Sequence, residues 1–439
     1  MTPTTQLHSK PGVNKIEVPV LARVEGEGAL SLKVKNGRIV DLRLKIPEPP
    51  RLFEGFLAGR HCTEVPDITS RICGICPIAY QMSSIHALER GLGVEVHPQI
   101  RALRRLFYCG EWIESHVLHI YMLHAPDFLG CQDVVELAAV NRDAVLRALR
   151  MKKIGNHLVT VLGGREIHPV GACIGGFHRI PAQQDLAALV PDLEWALEAS
   201  LETVKFAASL PCPDLDVDYE FVAVHHPTEY AMNEGRIVSN KGLDIEADEF
   251  EDHSQEQHVR HSNALHSVLK SRHSYLTGPL ARFNLNFDTL PPVAVDAAVA
   301  AGCRPPVNNP FRGIIVRAVE LVFACHEALR LISEYDPPPH AKVPLRMRAA
   351  RCAAATEAPR GLLYHRYEVD AQGFVQSARI VPPTAQNLKR IEDDLWCYVP
   401  SLLTLSNDDI AWRAEQAIRN YDPCISCATH FLKLDLRRR

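Results

Sequence analysis

Two Cys-x-x-Cys pairs are the residues of this chain whose types and spacing best suit chemistry. One lies in Arg71-Ile72-Cys73-Gly74-Ile75-Cys76-Pro77. The other lies in Asp422-Pro423-Cys424-Ile425-Ser426-Cys427-Ala428-Thr429-His430. Together they supply four thiolates, enough for a tetrahedral or square-planar soft-metal site. A structural zinc site usually has its two pairs within ~12–20 residues of each other. Here most of the chain separates them, so a zinc ion would have to close the whole fold. Burial as small hydrophobes suits the cysteines that occur singly, such as Cys109 and Cys325, but not two spaced pairs.

The elements around the pairs read as follows. Residues 29–46 alternate apolar and polar about Asn36-Gly37, a hairpin signal. Pro77 suits a first helical turn, and Ile78, Met82, Ile85 and Leu88 give that helix an apolar face ending at Gly91 and Gly93. Both first-pair cysteines thus precede a helix N-terminus, where the dipole favours thiolate. A long helix is predicted over 99–123, and others over 132–162, 183–209, 255–275, 311–334 and 385–397. Helices this apolar should pack as a bundle. Short strands are expected near Val222, Val224, Ile237 and Val238, and a second hairpin over 362–381, turning near Asp370 and Gly373. Ser406-Asn407 followed by Asp408-Asp409 marks the start of a last helix, about 408–420, and the second cysteine pair follows it directly. The fold class is therefore mainly α with small β-hairpins around a central bundle of long helices.

Composition sets limits. Of 439 residues, 46% are hydrophobic and 23% charged, with a net charge of −4, so nothing asks for nucleic acid or an anionic membrane. No apolar run approaches the ~20 residues of a membrane span. Thirteen cysteines, an odd count, with no export signal in residues 1–12 point to a reducing, cytoplasmic setting. Gly171 to Gly176 is glycine-rich but lacks the strand–turn–helix context of a nucleotide loop. No further cysteine cluster has ferredoxin spacing. His253, His258 and His261 are read on one predicted helix, where His258 and His261, three residues apart, could share a face; ordinary surface histidines are the commoner reading and a second metal the rarer one.

The paired motifs resemble those of the large subunit of nickel-iron hydrogenases. The resemblance runs in order along nearly the whole chain, through Arg23-Val24-Glu25-Gly26, Phe53-Glu54-Gly55, His168-Pro169, Gly278-Pro279-Leu280-Ala281-Arg282 and Ala358-Pro359-Arg360-Gly361. It implies one catalytic domain: a β-hairpin lobe about 14–60, a helical core about 61–430 and a maturation tail 431–439. It implies nickel held by Cys73, Cys76, Cys424 and Cys427, with Cys76 and Cys427 bridging to an iron that carries CO and cyanide. Dihydrogen would be split heterolytically, with Cys424 taking the proton and passing it to Glu25. Arg360 would overhang the metals, fixed by Asp422, and Thr384 would donate to a cyanide. Glu54, the backbone carbonyl of Ile380 and His430 would hold a hard cation, usually magnesium. Tyr80 and Ser115 depart from the family, which often has His and Asp there.

The cysteine motifs look most like the bidirectional, NAD(P)-linked branch, which includes sulfhydrogenases. An iron–sulfur small subunit is then a required partner, with flavin- and NAD(P)-binding diaphorase subunits beyond it. Nickel-insertion factors and a protease cutting after His430 would act during maturation. Branches using F420 or a heterodisulfide- or ferredoxin-linked acceptor, and a zinc-stapled structural subunit, are the alternative readings.

Overall fold

The computed structural model describes residues 13–270 and 273–430. The segments 1–12 and 431–439, read above as lacking an export signal and as a maturation tail, lie outside the described residues.

Three helices form the centre. α1 (Pro77–Leu92) leads from the first cysteine pair to Gly93, whose φ of 69° closes the helix in the left-handed region. α2 (Pro98–Val117) and α3 (Arg142–Gly163) pack side by side. Their axes come close because Gly110 and Gly155 face each other. A Cβ on Gly155 would lie 2.8 Å from the Gly110 carbonyl oxygen, so a larger residue would push the helices apart. α4 (Val190–Ala208) and α5 (Gly313–Ser333) complete the bundle. α2 runs directly into a π-helical segment, Leu118–His124. The predicted helix over 99–123 is therefore continuous but changes its winding near the site. π segments of this kind are frequent at functional sites.

Helix breaks depart from the sequence-based expectation. The 132–162 stretch is two helices, Val134–Val140 and α3, because Asn141 caps α3 by accepting from the Ala144 N–H at 3.1 Å. The 183–209 stretch divides likewise into Gln183–Ala187 and α4, with Pro191 in the first turn of α4.

Both hairpins gain a third strand. β1 (Val13–Val18), β2 (Ala29–Lys35) and β3 (Arg38–Lys45) form an antiparallel sheet. Its Leu30, Leu32 and Leu44 join the same apolar core as the helices. β4 (Val222–His225), β5 (Arg236–Ser239) and β6 (Asp244–Ile245) form a second small sheet, close to the predicted strands. The predicted 255–275 helix is instead a hairpin, β7 (Ser254–Gln257) with β8 (His266–Leu269). The segment has no continuous 3.6-residue apolar stripe. β8 buries His266, Ser267 and Leu269 beneath α6 (Pro383–Tyr398), so packing decides the conformation. His253, His258 and His261 therefore do not share a helix face.

β9 (Ala350–Ala358), β10 (Gly361–Val369) and β11 (Val375–Val381) form the third main sheet, in that order. Alanine-rich β9 has no strand pattern in the sequence. α7 (Asn407–Arg419) is capped by Ser406, which accepts from the Asp409 N–H at 3.2 Å, as expected. Among the described residues, no helix is long and apolar enough to cross a membrane.

Candidate metal centre

The fold brings the two cysteine pairs into one buried cluster. The sulfurs of Cys73, Cys76, Cys424 and Cys427 all lie within 4.8 Å of one another, and every one of these residues is at most 4% exposed. Cys73 Sγ is 3.7 Å from Cys424 Sγ. All four thiols are free.

Their electrostatics call for a cation. Burial pushes the Cys73 thiol up, but hydrogen bonds from Cys424, Cys427 and Cys76 and the Arg360 charge outweigh it and hold it well below the usual range. The other three are raised, Cys424 and Cys427 chiefly by burial and Cys76 by its sulfur neighbours and burial although Cys424 opposes. Deprotonating more than one of the four puts like charges together in an apolar interior. A soft cation bound by all four removes that obstacle.

Three structures fix the loops. Glu111 of α2 accepts from the backbone N–H of Ile78 at 2.7 Å and of Ala79 at 3.1 Å, placing its carboxyl at the N-terminus of α1 just beyond Cys76. Arg51 donates to the Ile72 carbonyl at 2.8 Å and also to the Ser426 carbonyl, tying one cysteine loop to the other. The Glu25 loop runs beside the second pair as a parallel bridge, with the Ile425 N–H donating to the Glu25 carbonyl at 2.9 Å. Gly26 permits this approach. It sits at φ 84°, and a Cβ there would meet Ser426 N and Ile425 Cβ, each at 2.9 Å.

Glu25 Oε2 is 3.0 Å from Cys424 Sγ and accepts from the Ser426 N–H at 3.1 Å. Its loop is anchored by Arg23, which pairs with Asp127 at 2.5 Å. Arg419 holds the same carboxylate at 2.6 and 2.7 Å and the Ala22 carbonyl at 2.7 Å. Glu27, by contrast, is exposed.

Arg360 lies in the tight turn joining β9 to β10, directly before the strand that opens the second predicted hairpin. Its Nε donates to the Asp422 carbonyl at 2.8 Å and its Nη2 to Asp422 Oδ1 at 3.1 Å. Nη1 is buried and has no partner among the described residues, a donor left for a group at the cluster. The turn itself is held by Arg282, wholly buried, which donates to the Ala358 and Pro359 carbonyls at 2.6 and 2.9 Å. Arg282 also pairs with Glu357 at 2.8 Å and Glu320 at 2.9 Å. Thus the Gly278–Arg282 and Ala358–Gly361 motifs meet in space. Thr384, in the first turn of α6, accepts the Cys424 N–H through Oγ1 at 3.0 Å.

Glu54 is 8% exposed rather than a solvated helical acid, and its Oε1 accepts the Ile380 N–H at 2.8 Å. His430 Nε2 lies 2.8 Å from the Ile380 carbonyl oxygen, while Nδ1 faces the Cys427 carbonyl. A neutral imidazole has one N–H for these two acceptors, and burial keeps His430 below its ordinary pKa although Glu54 opposes. A cation shared by Nε2 and the Ile380 oxygen relieves the conflict, so these residues fit a hard metal. Tyr80 lies against the thiols with its hydroxyl buried and unpaired among the described residues; burial and then the four cysteines raise it well above the ordinary phenol range. Ser115 Oγ is also buried and unpaired.

Sequence reasoning missed Arg51, Glu111, Asp127 and Arg419. Asp127 and Glu111 sit among apolar helix positions, where a buried acid needs a partner, but no spacing says which residue that partner is.

The fold gathers a buried set of four soft-metal ligands, and comparison with known proteins identifies the class. A sequence model of nickel-dependent hydrogenases matches residues 51–145. The alpha chain of sulfhydrogenase 1 from Pyrococcus furiosus is 30% identical over 423 residues, covering 95% of this chain and 98% of its own. A chain of the F420-non-reducing hydrogenase vhu from Methanococcus voltae is 28% identical over 407 residues, covering 87% and 97%. The fold is shared with a crystal structure of an NAD+-reducing [NiFe]-hydrogenase in the H2-reduced state, at TM-score 0.85 and 23% identity over 95% of this chain and 99% of that one. The chain belongs to the nickel-dependent hydrogenase family, as a catalytic large subunit of the nickel-iron type.

Proposed function

We propose that this protein splits dihydrogen reversibly at a nickel–iron pair held by Cys73, Cys76, Cys424 and Cys427, and that its complex passes the electrons to NAD(P). The observation that carries the site assignment is the 3.0 Å contact between Cys424 Sγ and Glu25 Oε2 inside the four-thiol cluster. When bound, the metal pair supplies the redox and Lewis-acid chemistry that polarises dihydrogen.

The chain's residues handle the proton and the electrostatics. Cys424 holds the proton at Sγ and donates it to Glu25 Oε2. The Ser426 N–H keeps that carboxylate oriented towards the sulfur. Arg360 brings a fixed positive charge, locked by Asp422, with Nη1 free to donate to a cyanide on iron. The Thr384 hydroxyl accepts from Cys424 N and keeps its own proton to donate to a second cyanide. Glu54, the Ile380 carbonyl and His430 would hold Mg2+; His430 already joins the second cysteine loop to β11 through its contact with the Ile380 carbonyl.

The acceptor is inferred from the sulfhydrogenase-like cysteine motifs and from the likeness to the NAD+-reducing structure. Diaphorase subunits and an iron–sulfur small subunit then complete the path. A maturation protease removes 431–439 after nickel insertion.

Infrared spectroscopy of the purified complex tests the centre, because CO and cyanide stretches are expected only if the thiols hold iron of this kind. Their absence alongside bound zinc would leave a stapled structural protein. Hydrogen-dependent reduction of NAD+ and NADP+, compared with F420 and ferredoxin, tests the acceptor. Mass spectrometry of the mature chain reports whether it ends at His430.

A further inference from the structure

We propose that His261, His266 and Glu392 form a second metal site, a three-ligand seat for zinc, distinct from the thiol cluster and from the Glu54–His430 group. One ligand atom from each lies within 4.8 Å of the other two. His261 Nε2 is 2.8 Å from Glu392 Oε1, and His266 Nδ1 is 4.0 Å from Glu392 Oε2. Donor atoms bonded to one tetrahedral zinc sit ~3.3 Å apart, given bonds of ~2.0–2.1 Å. The two observed spacings bracket that value, so small side-chain rotations seat the ion.

His266 needs such a partner. It is 1% exposed, yet among the described residues neither ring nitrogen has a hydrogen-bond partner. Buried polar atoms are rarely left in that state. A plain His261–Glu392 hydrogen bond accounts for two of the three residues and leaves His266 unexplained. The carboxylate is oriented from outside the triad, since the Leu44 N–H donates to Glu392 Oε1 at 2.9 Å. Outer contacts of this sort fix a ligand's direction. Lys389, one turn before Glu392, is paired with Asp393 and does not compete for the carboxylate. The His261 side chain is 18% exposed and that of Glu392 13%, which gives the ion an entry side and leaves water the fourth position. Imidazole with carboxylate is a donor set that suits zinc, not a soft all-sulfur ion.

The ligands come from separate parts of the chain. His261 is in the loop between β7 and β8, His266 opens β8, and Glu392 lies on α6 with β3 at its carboxylate. Zinc there staples the β7–β8 hairpin and the N-terminal sheet to the helix whose first turn carries Thr384, the acceptor for Cys424 N.

The test uses the purified hydrogenase complex, treated with a chelator, dialysed against zinc sulfate and analysed for metals by mass spectrometry. The native complex should retain one zinc per chain more than His266→Ala, Glu392→Gln or His261→Gln. Affinity in each variant should fall by at least the ~10–100-fold typical of losing an outer-shell partner. Cobalt in place of zinc should give ligand-field bands without thiolate-to-cobalt charge transfer. Zinc should raise the melting temperature of the native complex and not of the variants. Equal zinc in native and variant complexes, or a cobalt spectrum with thiolate charge transfer, overturns the proposal. His261→Gln changes the accessible ligand and keeps the test decisive if His266→Ala does not fold.

Discussion

Replacing Glu25 by Gln isolates proton transfer from structure. The carboxylate oxygen Oε2 receives both the Ser426 N–H at 3.1 Å and the Cys424 thiol at 3.0 Å. Glutamine keeps the length and an oxygen that can accept from Ser426, so the loop alongside Cys424 should hold. Its amide cannot take up the proton that Cys424 must release. Losing a positioned acid–base group typically costs ~10²–10⁴ in rate, or about 3–5 kcal/mol of barrier. Hydrogen-dependent dye reduction by Glu25→Gln should fall by that range. Exchange of D2 with water should fall with it, and nickel content and the infrared bands should stay native. Glu25→Asp, one methylene shorter, should fall between the two. If Glu25→Gln turns over at the native rate with a full complement of nickel, the proton leaves by another route and the reasoning is wrong.

Arg360→Lys should keep nickel but lose the two-point grip on Asp422 and the unpaired Nη1 donor, lowering turnover ~10²–10³-fold; native turnover would argue against an electrostatic role. Arg282→Met leaves Glu320 and Glu357 buried without their cation, so it should destabilise the chain by about 3–5 kcal/mol, read as a drop in melting temperature. His124 is fully buried with neither ring nitrogen paired among the described residues, and its pKa is held at about 3, first by burial and then by nearby arginines against the pull of Asp127. The unfolded chain therefore binds this proton near pH 6.5 and the native one does not, so the contribution is whole above pH 6.5 and is lost as pH falls towards 3. His124→Leu removes that dependence. Between pH 7 and pH 5 its stability should gain on the native chain by about 2 kcal/mol, measured by denaturant unfolding at both pH values; parallel curves would contradict the assignment.

Several local features are legible from residue order alone. The Asn36-Gly37 hairpin, the α1 helix from Pro77 to the Gly93 stop and the Ser406 cap of α7 each depend on neighbours a few positions apart. The 255–275 hairpin escapes such a reading because its sequence carries no pattern that separates helix from strand, and only the packing of β8 beneath α6 decides; the break in 132–162 follows from the Asn141 cap, a local signal that the apolar periodicity on both sides overrides. β9 shows this most clearly. Its alanines favour a helix in isolation, but pairing with β10 places Arg360 in a two-residue turn above the thiols.

By itself, the sequence determined the ligand chemistry: four cysteines in two pairs, an acid near each end and an arginine between. Residue type sets softness, charge and proton affinity, and these need no fold to be read. Only the tertiary structure decided that all four sulfurs share one buried pocket and that Cys424 is the thiol touching Glu25. It also decided that Arg282 braces the turn of Arg360, and that His261 meets His266 and Glu392. Most such pairings join residues tens to hundreds of positions apart. They are fixed by helix packing, strand register and buried ion pairs, which arise only when distant segments meet and exclude water together.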